Sequence, residues 1–185
     1  MRRRVPFYKK CLPDFSYKSI YEIPYNGLYI RGIEALFFDL DNTLVTYNQK
    51  KLSEKMVTFL QELSNFFTII IISNNHKKRV LEAVGENFPF VSHAKKPFKF
   101  GYKKALKMAG LQPYKVAIIG DQLLTDIKGA ASLGAARRIA IRPLRKDTEK
   151  WMTRFNRFFE RLVIKKIKRK LPDIFDVRLG NFLSE

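Results

Sequence analysis

Short apolar segments alternate with helical segments through the middle of the chain, and this alternation constrains the fold more than any other feature. Five mostly apolar runs have the length of strands buried on both faces of a sheet: Ile33–Phe38, Phe66–Ile72, Phe88–Val91, Val116–Ile119 and Arg138–Ile141. Between these runs, apolar residues recur at helical spacing, and two helical segments end at the glycine stops Gly110 and Gly134. The pattern predicts an α/β fold, a parallel sheet with helices on both faces.

Polar residues follow four of the predicted strands. Asp39, Ser73 and Asp121 come directly after their strands, and Lys95-Lys96 follows the third strand after a short gap. In parallel α/β sheets, ligands bind just outside the carboxyl ends of the strands. We therefore expect carboxylates, a hydroxyl and an ammonium group to meet at this edge.

The string Asp39-Leu40-Asp41-Asn42-Thr43 is the sharpest signal in the sequence. Two aspartates two positions apart in a loop can share a divalent cation, and Mg²⁺ prefers oxygen ligands. The alternative is an ordinary Asp-Asn turn after a buried strand. The string resembles the first motif, DxDxT, of the haloacid dehalogenase (HAD) superfamily of phosphatases.

Three further motifs of that superfamily follow in the same order. Ser73 resembles the hydroxyl of the second motif, Lys96 the lysine of the third, and Gly120–Asp126 the GDxxxxD string of the fourth. Ser73 alone would be read as a turn or helix cap, Lys96 alone as a surface residue, and Lys95 is a weaker candidate for the same role. Four motifs in order identify the chain as a member of the superfamily, whose core is a Rossmann-like sheet.

The resemblance implies a mechanism and a cofactor, Mg²⁺. Asp39 would be the nucleophile that forms an aspartyl-phosphate, and Asp41 would act as general acid and then as general base. Asp39, the backbone carbonyl of Asp41 and Asp121 would hold Mg²⁺, with Asp126 as a further ligand or an orienting group. The implied phosphate-binding residues, with Thr43 also supporting the loop, are Thr43, Ser73, Asn74 and Lys96.

The spacing of the motifs leaves no room for a cap domain. Asp41 and Ser73 are 32 positions apart, and Ser73 and Lys96 are 23 apart. One core helix takes up each interval. An uncapped HAD core has an open site, which suits phosphate groups on large or surface-bound molecules: lipids, proteins or nucleic-acid ends.

The closer resemblance is to the YqeG-type branch of subclass IIIA, which is related to the phosphatidylglycerophosphate phosphatases. It is carried by Asp39–Val45, Ser73-Asn74-Asn75, Lys96-Pro97, Gly120–Asp126 and the segment Thr153–Arg157. This relation implies a Mg²⁺-dependent phosphatase with a phospholipid substrate, phosphatidylglycerophosphate. Phosphatase action on protein or nucleic-acid phosphates stays open.

Positive charge is concentrated at the two ends of the chain. The 36 Lys and Arg against 17 Asp and Glu give a formal net charge of +19, and residues 137–170 contain 14 basic and three acidic residues. Such an excess predicts anionic partners: a membrane surface, a phosphorylated substrate or RNA. A basic RNA- or ribosome-associated factor with mainly a binding role is therefore the alternative from a different class.

The C-terminal segment has the pattern of a basic amphipathic helix. Aromatic and aliphatic residues lie along one stripe and basic residues along another, as in helices that lie in a membrane interface. The alternatives are packing on the chain's own core and RNA binding. The residues predicted to contact a membrane are Trp151, Arg154, Phe155, Arg157, Phe158 and Arg161.

The sequence divides into three parts: a basic and aromatic N-terminal extension (1–30), a HAD catalytic core (31–145), and the amphipathic helix with a tail (146–185). The basic start lacks the apolar stretch of a signal peptide, and no apolar run approaches the ~20 residues of a membrane span. The single cysteine, Cys11, suits a reducing compartment. These features predict a cytoplasmic protein, peripheral on the inner face of the membrane and not crossing it.

Overall fold

The computed structural model describes residues 5–145 and 151–183, which form one six-stranded parallel sheet covered by helices. The strand order is β1-β6-β5-β2-β3-β4. Strand β2 therefore lies between β5, which precedes the Asp121 motif, and β3, which precedes Ser73. The strands are β1 (Phe15–Tyr17), β2 (Ala35–Phe38), β3 (Thr68–Ile72), β4 (Phe90–Val91), β5 (Val116–Gly120) and β6 (Arg137–Ile141). The predicted α/β fold is confirmed.

Helices pack on both faces of this sheet, and each face has its own apolar cluster. The helices are α1 (Phe7–Lys10), α2 (Tyr25–Ile30), α3 (Glu54–Ser64), α4 (Lys77–Val84), α5 (Lys99–Ala109), α6 (Lys128–Leu133), α7 (Trp151–Lys170) and α8 (Pro172–Leu183). Side-chain caps start α3 and α4, where Ser53 Oγ accepts from Met56 N at 3.2 Å and His76 Nδ1 accepts from Arg79 N at 3.1 Å.

The central strands form where the sequence is continuously apolar. All four residues of β2 and all five of β5 are buried, because helices cover both faces of the sheet. Phe37 of β2 is in register with Ile70 of β3 and Ile118 of β5. The loops at the carboxyl ends of these three strands therefore begin side by side.

Strand β1 was not among the predicted strands. It pairs in parallel with β6, Phe15 opposite Ile139, and an ion pair of 2.6 Å between Arg138 Nη2 and Asp14 Oδ1 holds its start. The N-terminal segment thus contributes a strand to the edge of the sheet.

Residues 39–98, all of which the structure describes, contain only α3, α4, β3, β4 and their loops. No domain is inserted between the first and third motifs. The expectation of an uncapped core is confirmed.

Helix α7 packs on the core through only two residues of the predicted apolar stripe, Val163 and Ile167. Its buried residues are Thr153, Glu160, Val163 and Ile167, and the last two join α1 and α8 in a third apolar cluster. The other apolar residues of the stripe are exposed: Trp151, Phe155, Phe158, Phe159 and Leu162. In the described part of the chain, no helix combines the length and the apolar character that crossing a membrane requires.

Candidate active site

The carboxyl edge of the sheet brings the predicted motif residues together. Asp39 follows β2, Ser73 follows β3 and Asp121 follows β5, while the loop after β4 carries Lys96. All four are buried. Three of them, Asp39, Ser73 and Lys96, line a cavity of about 410 Å³ at this edge, together with Asp41.

Lys96 lies between two carboxylates. Its Nζ donates to Asp39 Oδ1 and, at 2.6 Å, to Asp126 Oδ1. Burial raises the pKa of Asp39 to about 7, and the positive charge of Lys96 opposes this rise. Burial alone would lower the pKa of Lys96, but Asp126 and Asp39 raise it well above its usual value. Lys96 therefore keeps a full positive charge beside the nucleophile candidate.

The loop after β2 is held by its own side chains. Asn42 has a left-handed backbone (φ 67°), and its Nδ2 donates to the carbonyl oxygen of Arg145 at 2.8 Å. Thr43 Oγ1 donates to Asp39 Oδ2 at 3.3 Å. Thr43 therefore contacts the nucleophile candidate, and its predicted contact with phosphate stays a prediction.

Asp41 is held by two residues to which the sequence analysis gave no role. Arg79 of α4 donates to Asp41 Oδ1 from Nη2 at 2.9 Å and from Nε at 3.3 Å. Asn75 Nδ2 donates to Asp41 Oδ2 at 2.7 Å. Asn75 stands beside the second motif and Arg79 in the first turn of the next helix. Their nearness to Ser73 in sequence was the only signal for them.

Asn74 contacts the backbone of the lysine motif. Its Oδ1 accepts from Lys96 N at 2.7 Å and its Nδ2 donates to Lys96 O at 3.1 Å. Asn74 also lines the cavity, as does Ser73, whose Oγ accepts from Asn75 N at 3.1 Å. Three of the four predicted phosphate-binding residues, Ser73, Asn74 and Lys96, therefore line the cavity, and Asn74 also fixes the position of Lys96.

Three carboxylates form a candidate metal site. Oxygen atoms of Asp39, Asp121 and Asp126 lie within 4.8 Å of one another, and all three residues are buried. Asp121 Oδ1 is buried and has no hydrogen-bond partner among the described residues. A buried carboxylate oxygen without a donor is costly unless a cation neutralises it. The donor set fits Mg²⁺.

Asp126 reaches this cluster because Gly120 has no side chain. A methyl group on Gly120 would lie 2.6 Å from both Cβ and Oδ2 of Asp126, far inside van der Waals contact. Asp126 itself lies on a π-helical turn, Leu123–Ile127, and its Oδ2 accepts from Gln122 N at 3.1 Å. The final aspartate of the fourth motif thus packs directly against the backbone of its glycine, and a larger residue at the glycine position would displace it.

Helix α7 forms one wall of the site. Trp151, Thr153 and Asn156 line the cavity. Thr153 Oγ1 lies 3.0 Å from the hydroxyl oxygen of Tyr47, and Asn156 Nδ2 donates to Gln122 Oε1 at 3.4 Å. The segment that carried part of the family resemblance therefore lines the candidate active site.

The predicted membrane contact of Arg157 is corrected by the structure. Its side chain is only 13% exposed, because the guanidinium group turns inward to the Asp121 carboxylate and to Glu160 Oε2 at 2.9 Å. Burial raises the pKa of Asp121 well above its usual value, and Arg157 opposes this rise. The helical pattern placed Arg157 on the basic stripe, since the pattern alone does not show which carboxylates the helix meets.

The site combines a nucleophile candidate at the end of a central strand, a buried lysine and a second acidic motif, and no cap domain covers it. These features define a HAD-type phosphatase. The comparisons agree: the chain belongs to the family described as mitochondrial PGP phosphatase, whose family model matches residues 4–145. It is 32% identical over 164 residues to the protein named Probable phosphatase YqeG of Bacillus subtilis (strain 168), covering 88% of this chain and 94% of that protein. The predicted family and the phosphatase activity are confirmed.

A solved structure also matches the chain. The crystal structure of an uncharacterized protein from Listeria monocytogenes serotype 4b is 18% identical and covers 63% of this chain and 84% of that chain, with a TM-score of 0.48.

Proposed function

We propose that this phosphatase uses Mg²⁺ and an aspartyl-phosphate intermediate to remove the terminal phosphate of phosphatidylglycerophosphate at the cytoplasmic face of a membrane. One observation carries the lipid part of this proposal. The helix whose first turn lines the catalytic cavity presents exposed aromatic and basic residues on its outer side. The matching family, described as mitochondrial PGP phosphatase, supports the same substrate.

In the first step, a carboxylate oxygen of Asp39 attacks the phosphorus atom of the substrate. The new Asp39–phosphorus bond forms as the bond from phosphorus to the lipid oxygen breaks, and Asp41 gives that oxygen a proton. Lys96 balances the negative charge on the phosphoryl oxygens, and the Ser73 hydroxyl at the cavity wall donates to them.

In the second step, a water molecule attacks the phosphorus atom of the aspartyl-phosphate. Asp41 takes the proton of that water, and the bond between Asp39 and phosphorus breaks to release inorganic phosphate. Asp41 lines the same cavity as Asp39, so one carboxyl group serves both proton transfers.

Asp39 and Asp121 would hold Mg²⁺, with the backbone carbonyl of Asp41 and with Asp126 as a ligand or an orienting group. The cation, when bound, supplies positive charge that neutralises the phosphoryl oxygens. Asp126 also keeps Lys96 in place through the 2.6 Å contact between Oδ1 and Nζ.

The outer surface of α7, defined as Trp151, Phe155, Phe158, Phe159 and Leu162 with Arg154 and Arg161, suits an anionic lipid interface. Trp151 is 75% exposed and Phe155 is 57% exposed. Aromatic side chains enter the headgroup region, and each nearby basic residue adds about 1 kcal/mol of attraction to anionic lipid. Because Trp151 also lines the cavity, binding through this surface would bring lipid headgroups to the site.

Two further exposed aromatic residues lie on the side of the site opposite α7. Phe98 and Phe100, just after Lys96, are 72% and 65% exposed. The sheet order puts β4, which precedes them, on the opposite side of β2 from β5, whose following turn contacts α7. Exposed lysines close to this pair in sequence are Lys95, Lys99, Lys103 and Lys104. Two basic, aromatic surfaces on either side of one cavity support a lipid-surface substrate.

The test is phosphate release from phosphatidylglycerophosphate in mixed micelles, with Mg²⁺ or with EDTA, for the wild type and Asp39→Asn. We expect Mg²⁺-dependent release by the wild type alone. Turnover of a soluble phosphomonoester without release from the lipid would remove the lipid substrate and leave the phosphatase. Turnover by Asp39→Asn would refute its role as the nucleophile.

Vesicle binding tests the membrane part separately. Trp151→Ser, Phe155→Ser and Phe158→Ser combined should weaken cosedimentation with phosphatidylglycerol vesicles. The matched control replaces three exposed apolar residues elsewhere: Ile30→Ser, Tyr114→Ser and Val177→Ser. Equal binding by both variants would contradict membrane contact through α7. Salt-sensitive retention on RNA without vesicle binding would favour an RNA partner instead.

A further inference from the structure

Arg157 fixes one side of the Asp121 carboxylate. Its Nη2 donates to Asp121 Oδ2, and its Nη1 donates to the backbone carbonyl oxygen of the same residue at 2.7 Å. A guanidinium group that contacts both the side chain and the backbone of one residue limits rotation of that side chain. Asp121 is fully buried, so both contacts come from the protein and not from bulk solvent.

Glu160 braces Arg157 from within the same helix. Glu160 Oε2 accepts from Arg157 Nη1 at 2.9 Å, and Glu160 Oε1 accepts from the backbone N of Leu124 at 3.2 Å. Glu160 is buried, and it is the single acidic residue among eight basic residues in 151–170. A buried carboxylate in a basic helix needs such partners, because burial alone disfavours its charge.

The contacts leave the other oxygen of Asp121 available. Oδ2 is held by Arg157, whereas Oδ1 has no hydrogen-bond partner in the described residues and Asp121 belongs to the three-carboxylate cluster. Among the described residues, four carboxylates (Asp39, Asp121, Asp126 and Glu160) are paired with two cations, Lys96 and Arg157. With these groups ionised, the cluster retains the excess negative charge that a divalent cation would neutralise.

We propose that Arg157, braced by Glu160, is a positioning residue that orients Asp121 so that its free oxygen serves as a Mg²⁺ ligand. The inference rests on the proposed function, because it presupposes a cation at this cluster. Helix α7 then contributes the residue that positions a ligand of the metal site, although none of the four HAD motifs lies on this helix.

A purely structural role for Arg157 is the competing explanation. Helix α7 already packs on the core through Val163 and Ile167, and these apolar contacts do not involve Arg157. Loss of a helix anchor would lower the melting temperature alone. Loss of a positioning residue would weaken Mg²⁺ binding in protein that is still folded.

The experiment measures Mg²⁺ affinity by titration calorimetry on metal-free protein, together with the melting temperature. The variants are Arg157→Gln, Arg157→Lys and Glu160→Gln, and the control is Arg169→Gln, which removes an exposed charge from the same helix. We expect Arg157→Gln to weaken Mg²⁺ binding by about 10-fold or more. Arg157→Lys should recover only part of the affinity, because an ammonium group cannot reproduce the two fixed contacts. Arg169→Gln should bind like the wild type.

Unchanged Mg²⁺ affinity in folded Arg157→Gln would overturn the inference. If that variant does not fold, wild-type affinity in both Arg157→Lys and Glu160→Gln would overturn it equally. A wild type that binds no Mg²⁺ would refute the metal site itself. A wild type that binds Mg²⁺ but releases no phosphate from lipid would refute only the proposed substrate.

Discussion

Arg79 holds Asp41 by two nitrogen atoms that converge on one carboxylate oxygen, at 2.9 and 3.3 Å. Arg79 Nη1 also donates to the backbone carbonyl oxygen of Lys50 at 3.0 Å. The first turn of α4 is thereby tied both to the acid–base candidate and to the loop that follows it. Arg79 therefore couples the orientation of Asp41 to the position of α4.

Arg79→Gln should lower kcat/KM for a soluble phosphomonoester by about 100-fold. The variant keeps Asp41 but no longer holds it in position, and a small misplacement of a catalytic group lowers the rate by about that factor. Arg79→Lys should restore little, since it cannot make the paired contacts. Steady-state kinetics checks this, with the exposed neighbour Lys78→Gln as the control. Equal rates for Arg79→Gln and Lys78→Gln would show that Asp41 does not depend on Arg79.

Lys96→Met should abolish phosphate release and destabilise the protein in the absence of metal. The substitution leaves Asp39 and Asp126 buried without their shared cation, and removing one partner of a buried pair costs about 3 kcal/mol or more. Chemical denaturation measures the loss. Lys107→Met, on the exposed side of α5, is the control. A stability equal to that of the control would contradict the charge role of Lys96.

Charge reversal at Arg154 and Arg161 should weaken binding to phosphatidylglycerol vesicles and leave hydrolysis of a soluble phosphomonoester unchanged. Arg157 is left intact in this variant because it contacts Asp121. Vesicle cosedimentation at low salt measures the effect, since electrostatic attraction is screened at high salt. Reversal at Arg31 and Lys115, near the amino ends of β2 and β5, is the matched control and should have no effect.

Cys11 should resist alkylation in the native protein at pH 8. Burial raises the pKa of its thiol from 9.0 to about 12, so the reactive thiolate is scarce in the folded state. Because the folded pKa is the higher one, the stabilising contribution is complete below pH 9 and is lost as pH rises towards 12. The melting-temperature advantage of wild type over Cys11→Ala should shrink across that range. Rapid native labelling by iodoacetamide would show that the cluster formed by α1, α7 and α8 opens readily.

The central sheet and the catalytic edge were predictable because their signals are local. Strands β2, β3 and β5 are almost entirely apolar, and each is followed directly by a polar residue of the candidate site. Strand β1 was not predictable in this way. It has three residues, and it is held by partners more than 120 positions away, including Arg138, which contacts Asp14.

The buried face of helix α7 could not be predicted from the sequence. The periodicity correctly indicated an amphipathic helix, but it grouped Val163 and Ile167 with exposed residues such as Trp151. The buried face was decided by specific partners: Asp121 for Arg157 and the backbone N of Leu124 for Glu160. Those pairings span about 36 positions, and no local pattern encodes them.

The part of the chain that matches the family model stops at residue 145, whereas the wall of the cavity begins at Trp151. A shortened protein ending at the matched segment would retain all four HAD motifs and still lose the groups that touch Tyr47, Gln122 and Asp121. Deleting the C-terminal arm therefore cannot separate the proposed membrane attachment from catalysis. Only substitutions confined to the outward side of that arm can do so.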